Sequence, residues 1–141
     1  MKKAAVFKAI IIALAVMMTF SLCACNDNKL TTEESVKKIL TSEFRQDYGL
    51  NMAKCVFTEV DTTVVTAEML KRDRWLAFDG VHENDVIFQV TYNIKARFNP
   101  EWLPMANGEI QGKWVRNAYV CGYLKCISEG KYELLSMGTG F

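Results

Sequence analysis

Residues 85–98 read DVIFQVTYNIKARF, and this stretch decides the fold class. Polar residues alternate with apolar ones along it, and Ile87 is the one apolar residue out of step. The apolar set is Val86, Phe88, Val90, Tyr92, Ile94, Ala96 and Phe98. Such alternation is typical of a strand with one face on a core and the other in water. It predicts a long antiparallel strand whose inward face carries no carboxylate and whose Tyr92 is a core residue with its hydroxyl at the rim.

Downstream, residues 113–127 and 131–137 are predicted to form an antiparallel hairpin that turns at Glu129-Gly130. Residues 99–112 begin with Asn99-Pro100 and are predicted to be a loop. Both faces of the 113–127 strand are partly apolar, which predicts that both are covered. A homodimer through the sheet would provide the second cover.

Upstream, the sequence predicts one long helix over residues 32–48. Thr31-x-x-Glu34 has the spacing of a capping box, and Gly49 suits the residue that follows a helix. The apolar positions recur at helical intervals, at Val36, Ile39, Leu40, Phe44 and Tyr48.

Between this helix and the long strand, residues 53–66 are rich in β-branched side chains and predict one strand or two. A short helix is predicted over 67–78, capped by Thr66 and ended by the turn Asp79-Gly80. Helices and strands do not alternate regularly. The predicted class is therefore α+β: a long N-terminal helix packed on a curved antiparallel sheet that ends in a β-meander.

The first 24 residues have the pattern of a secretory signal. Lys2, Lys3 and Lys8 precede an apolar run over residues 9–22. That run is shorter than the roughly 20 residues a helix needs to span a bilayer. A positive start, an apolar middle and a small residue at the end predict export.

Leu22-Cys23-Ala24-Cys25 resembles the bacterial lipobox, with one mild departure: the middle position, between the aliphatic residue and the small residue, is a cysteine, Cys23. The resemblance implies cleavage between Ala24 and Cys25, and a diacylglyceryl group on Cys25 whose two acyl chains anchor the protein firmly. Residues 25–30 then form a lipidated tether, and residues 31–141 form one domain. The alternatives are an uncleaved signal anchor and a soluble secreted product.

The charge pattern argues against nucleic-acid binding. The chain has 17 basic and 16 acidic side chains, and residues 1–24 hold three of the basic ones and none of the acidic ones. The remainder is slightly acidic and has no basic stripe, so the electrostatic signature of a nucleic-acid partner is missing.

Three cysteines follow Cys25, and an odd number in an exported chain implies at least one free thiol or an intermolecular disulfide bond. Cys121 and Cys126 lie along one predicted strand, too far apart to pair with each other. Cys55 is left open to pair with either. The favoured interpretation is that all three are small buried hydrophobic residues.

The sequence contains few candidate groups for catalysis or metal binding. His82 is the only histidine and is predicted to lie in a surface loop. Asp79, Glu83 and Asp85 cluster, but their spacing does not match a calcium loop, so a solvated acidic turn is predicted. No zinc or phosphate-binding motif is present, and we predict no metal and no cofactor.

The C-terminal half has a familiar pattern: DVIFQVTYNIKA, then NGEIQGKWVRN, YVCGYLKC and KYELLSMGTGF. It resembles small bacterial lipoproteins of unassigned function with a nuclear-transport-factor-2-like, or cystatin-like, domain. The likeness covers residues 85–141 well and 31–84 loosely, and it implies a cone-like fold. That fold includes isomerases, dehydratases, transport factors and interaction domains, so it does not define a function.

Three functional hypotheses follow. Trp102 lies within the predicted loop and Trp114 follows it closely. Tryptophan is enriched at binding hot spots, so both are candidate partner-binding residues. The alternative for Trp102 is that it folds back over the end of the sheet. The leading hypothesis is a membrane-tethered, extracytoplasmic lipoprotein whose non-enzymatic domain binds a protein partner or small ligand through the sheet face and this loop.

The second hypothesis is a small cone-fold enzyme or a ligand-binding protein with an apolar pocket. An enzyme of this kind needs an inward-facing carboxylate, for which Glu59 and Asp61 are candidates, with Tyr92 or Tyr119 as hydrogen-bond donor. A third hypothesis is an accessory role in an assembly.

Overall fold

The computed structural model describes residues 30–103 and 107–139. The predicted processing of Ala24 and Cys25 lies outside the described residues. In chain order the elements are α1 (Thr32–Tyr48), a 3-10 turn (Gly49–Asn51), β1 (Met52–Val64), α2 (Ala67–Arg72), α3 (Trp75–Phe78), β2 (Val86–Ala96), a 3-10 turn (Pro100–Trp102), β3 (Glu109–Gln111), β4 (Trp114–Ser128) and β5 (Lys131–Gly138).

The five strands form one curved antiparallel sheet. β1 pairs with β2, and β2 pairs with β4. β4 is long enough for its first residues to pair with β3 and its later residues with β5, so β3 and β5 share one edge. One long helix and an antiparallel sheet make the fold α+β, as predicted.

α1 has the predicted bounds, and its capping box is formed. The Thr31 side chain accepts a hydrogen bond from the Glu34 amide at 3.2 Å, and the Glu34 carboxylate accepts one from the Thr31 amide at 2.7 Å. Gly49 ends the helix with a φ of 54°, a conformation that glycine adopts without strain.

The main core lies between α1 and the inward face of β2, as the alternation predicts. Residues 86, 88, 90, 92, 94 and 96 of β2 are buried together with the apolar stripe of α1. The rings of Phe44 and Tyr92 meet with centroids 4.6 Å apart. Burial of apolar area is favourable by roughly 25 cal/mol per Å², so this interface, the larger of the two buried clusters, contributes strongly to stability.

Phe98 is an exception to the predicted inward face. β2 ends at Ala96, and the amides of Arg97 and Phe98 donate to Asn51 rather than to the sheet. The chain therefore leaves the sheet before residue 98, and the Phe98 side chain is exposed.

Asn93 departs from the alternation in the other direction, because it is buried although the pattern predicts a residue in water. Its side-chain oxygen accepts the Asn117 amide at 2.8 Å, where β4 carries an extra residue opposite β2 and Asn117 has a φ of 54°. A bulge of this kind bends a strand and increases its twist. The pair therefore contributes to the curvature of the sheet.

A second, smaller core covers the outer face of the sheet. Tyr123 on β4 packs there with Val65, Leu76 and Val81, and Ile87 joins them. This explains why Ile87 is out of step with the alternation. Both faces of β4 are thus covered, as predicted, and the short-helix segment of the same chain provides the second cover.

Two local predictions were wrong. The helix predicted over 67–78 is two short helices separated at Asp73, whose backbone is not helical. The loop predicted over 99–112 contains a 3-10 turn and the short strand β3, which pairs with β4 at Trp114–Arg116. Three residues of strand are too few to show a periodicity.

Candidate functional site

Three large apolar side chains are exposed near the C-terminal end of α1. Leu50, Phe98 and Trp102 are 77%, 56% and 66% exposed, respectively. We call this set the apolar tip. Burying such side chains is favourable by roughly 1.5–3 kcal/mol each, so their exposure leaves apolar area available for a contact.

Asn51 joins the two segments that form the apolar tip. Its backbone oxygen accepts the Arg97 amide at 2.6 Å, and its side-chain oxygen accepts the Phe98 amide at 3.0 Å. Its side-chain amide donates to the Asn99 carbonyl at 2.9 Å. Because Asn51 is buried and follows Leu50 directly, these bonds hold the Leu50 segment against the Phe98 segment.

Trp102 is held outward by a short, well-defined turn. Asn99 caps the turn by accepting the Glu101 amide at 3.0 Å, and Pro100 occupies its first position. Leu103, the next residue, is buried in the main core. Leu103 therefore packs against the domain at this end while Trp102 stays exposed.

Trp114 is half-buried at the same end of the sheet, and its ring already has neighbours. The Arg116 guanidinium lies 4.2 Å from the ring centroid and the Lys95 ammonium 5.8 Å from it. These cation–π contacts fix the ring on the sheet surface. The structure thus places the two candidate tryptophans differently: Trp102 projects outward, and Trp114 packs beneath two cations.

The candidate acid–base residues do not form a site in the apolar interior. Glu59 and Asp61 are exposed on β1, and Tyr119 is half-buried. Tyr92 is fully buried, so the prediction that its hydroxyl lies at the rim was wrong. Within the described part of the chain, that hydroxyl interacts with the Tyr48 hydroxyl but forms no hydrogen bond of normal geometry.

Among the buried polar residues of the described chain, Asp85 is the one with a carboxylate, and its role is structural. Its two oxygens accept the backbone amides of His82 and Cys126, each at 2.8 Å. The bonds join the loop before β2 to the end of β4. The prediction of a solvated acidic turn was therefore wrong for Asp85, whereas Asp79, Glu83 and His82 are exposed as predicted.

The three described cysteines are free thiols, with Cys121 buried and Cys55 and Cys126 half-buried. Burial raises the pKa of the Cys55 thiol to about 12. A thiol with so high a pKa is a weak nucleophile near neutral pH. The favoured interpretation of the cysteines as small buried residues is confirmed for Cys121, whereas Cys55 and Cys126 are only half-buried.

Residues 30–103 and 107–139 contain neither a metal-binding cluster nor a membrane-spanning helix. No three His, Cys, Asp or Glu side chains there are grouped so that they could hold a metal ion. No helix of that part of the chain is long and apolar enough to cross a bilayer.

Sequence reasoning missed a groove between α1 and the β4–β5 hairpin. Its volume is about 410 Å³, and its apolar lining comes from Leu30, Ile39, Ile127 and Tyr132. Lys38 and Lys131 also line it. The groove joins residues far apart in sequence, so periodicity within one element cannot reveal it.

The groove and the apolar tip occupy different parts of the α1 surface. The groove runs beside the helix from Leu30 to Ser42, whereas the apolar tip begins at Leu50, after the last residue of the helix. At 1.5 Å per residue, the stretch from Ser42 to Leu50 spans about 12 Å. The two apolar surfaces share no residue, so they are separate sites.

Comparisons of the chain with protein-family models, with curated proteins and with solved structures found no match.

Proposed function

We propose that this chain is a membrane-tethered lipoprotein, anchored on the extracytoplasmic face through lipid on Cys25, with a non-enzymatic, cone-like binding domain. The support for the anchor is the lysine-rich start, the short apolar run and the lipobox-like Leu22-Cys23-Ala24-Cys25. The support for a binding role is the apolar tip.

The exposure of the apolar tip is the observation that carries the binding proposal. A leucine, a phenylalanine and a tryptophan stand out from one end of the domain on segments joined by Asn51. Clustered exposed apolar residues mark interaction sites, and tryptophan is the residue most enriched at hot spots. Because the segments are held by buried groups, binding costs little ordering entropy.

The charges around the apolar tip specify the partner. Exposed or half-exposed cations on the segments that flank the apolar tip outnumber the carboxylates: Arg45, Lys54, Lys95, Arg97, Lys113 and Arg116 against Glu43, Asp47, Glu101 and Glu109. Complementary charge across an interface speeds association and excludes wrong partners. The partner is therefore a protein with an apolar pocket surrounded by acidic residues, and it approaches from the side opposite the tether.

A photocrosslinking amino acid at position 102, in cells that export the full chain, tests this binding site. We expect one crosslinked protein, identified by mass spectrometry, and loss of its co-purification in Trp102→Ala without a fall in melting temperature. The matched control is position 78, where Phe78 is also exposed but lies on α3.

Unchanged co-purification in Trp102→Ala, or equal crosslinking from positions 78 and 102, would contradict the assignment of the apolar tip. A crosslink between two copies of this chain would make the partner a second copy. The groove favours a second candidate function, the binding of a small apolar ligand.

A further inference from the structure

We propose that the groove between α1 and the β4–β5 hairpin binds one acyl chain of a membrane phospholipid, with the lipid phosphate between Lys38 and Lys131. The proposal deepens the proposed function, because the tether on Cys25 is what brings the groove to the membrane.

The lining of the groove fits an acyl chain. Leu30 and Ile39 come from the α1 side, and Ile127 and Tyr132 come from the hairpin. Leu30 and Ile127 are 40% and 50% exposed, so the groove leaves apolar area in water when empty. Its volume of about 410 Å³ is within the usual range of small-molecule sites.

The charged side chains of the groove fit a phosphate. Lys38 lies on α1 and Lys131 on β5, and Glu133 is the carboxylate of the lining, so cations predominate. The acidic residues in the first turn of α1 are engaged elsewhere, because Glu34 accepts from Thr31 and Glu33 pairs with Lys37. Lys38 and Lys131 are both exposed and remain available for a ligand.

The proposed anchor explains why the occupant is a membrane lipid. Leu30 lines the groove, and Cys25 precedes it by five residues. Five extended residues span at most about 17 Å, so the tether keeps the groove close to the lipid headgroups. The apolar tip, at the other end of α1, is out of this range.

The test uses the domain in solution, as residues 26–141. Both clusters of buried residues lie within residues 36–124, so this segment contains the whole described core. Amide chemical shifts are followed during titration with dihexanoyl phosphatidylglycerol below its micelle concentration. We expect saturable shifts at Ile39, Ile127 and Tyr132, and none at Leu50 or Trp102.

Two sets of variants separate the acyl chain from the phosphate. Ser42 lines the groove, so Ser42→Phe places an aromatic ring in it. This variant should weaken phospholipid binding at least about tenfold. Lys38→Ala with Lys131→Ala should weaken binding of the phospholipid but not of the uncharged octyl maltoside.

Ile127→Ser and Ile110→Ser are a matched pair, since the two isoleucines are 50% and 51% exposed and only Ile127 lines the groove. Only Ile127→Ser should weaken binding. An absence of saturable shifts, or equal binding by wild type, Ser42→Phe and Ile127→Ser of unchanged melting temperature, would overturn the proposal.

The titration does not depend on the anchor, because the lipid probe is free in solution. Groove binding in a protein without lipid on Cys25 would leave the groove assignment standing and overturn the proposed function. A lipidated protein whose groove binds no phospholipid would overturn the groove assignment alone.

Discussion

Tyr92 and Tyr123 are both fully buried, on opposite faces of the sheet, and they differ in what their hydroxyl groups contact. The Tyr123 hydroxyl donates to the Asp79 carboxylate at 3.3 Å. The Tyr92 hydroxyl is buried in the main core, where it interacts with the Tyr48 hydroxyl without forming a hydrogen bond of normal geometry. Burying an unpartnered polar group costs about 1–3 kcal/mol.

Tyr92→Phe should therefore leave the free energy of unfolding unchanged or raise it by up to about 1–3 kcal/mol. Tyr123→Phe, the matched control, should lower it by about 1 kcal/mol because it removes a hydrogen bond. Urea denaturation of both variants gives the comparison. A larger loss in Tyr92→Phe than in Tyr123→Phe would show that the Tyr92 hydroxyl is satisfied in solution.

Because Cys55 is partly buried, the stability of the domain should fall at alkaline pH. Its folded pKa, raised by burial to about 12, lies above the roughly 8.5 of an unfolded thiol. The folded state therefore keeps the proton more tightly, and this contribution is fully present below about pH 8.5 and is lost as pH rises toward 12. Melting temperatures in reductant should fall less between pH 8 and pH 10.5 for Cys55→Ala than for wild type. Parallel profiles would contradict this role of Cys55.

At the scale of elements, the predictable parts are those whose signal is local. The capping box and the apolar stripe of α1 lie within a few turns, and the alternation in β2 lies within one strand. The residues that depart from prediction contact partners far along the chain. The Asn93 and Asp85 side chains accept the backbone amides of Asn117 and Cys126, and the Phe98 backbone amide donates to the Asn51 side chain. No pattern within one element indicates such contacts.

The same distinction applies to the candidate sites. The residues around Trp102 signal a turn, since Asn99-Pro100 is a local motif, and an exposed Trp102 was one of the two alternatives that the sequence left open. Leu50 was missed because it joins the apolar tip through Asn51, which contacts a segment far along the chain. The groove was missed because α1 and β5 meet only in the folded domain.

The start of α1 provides an element-scale prediction. Thr31→Ala removes the side-chain oxygen that accepts the Glu34 amide and should destabilise the domain by about 1 kcal/mol. Thr32→Ala changes the same residue type one position later, inside the helix, and serves as the control. Equal midpoints of urea unfolding for the two variants would show that the capping box contributes nothing.

At the scale of the whole molecule, α1 separates two apolar surfaces with different proposed partners. The groove runs from Leu30, close to the proposed tether, to Ser42, and the apolar tip lies beyond the C-terminal end of the helix. With a lipid on Cys25, the groove would lie close to the membrane, and the apolar tip would be presented to a partner.

Mass spectrometry of the protein purified from the membrane fraction of an exporting bacterium tests the anchor most directly. Trypsin cleavage after Lys29 would release the N-terminal peptide Cys25–Lys29. If the proposed anchor is correct, this peptide begins at Cys25 and carries the mass of a diacylglyceryl group, and Cys25→Ser loses that mass. A purified protein that retains residues before Cys25, or whose Cys25 carries no lipid, would contradict the proposed anchor.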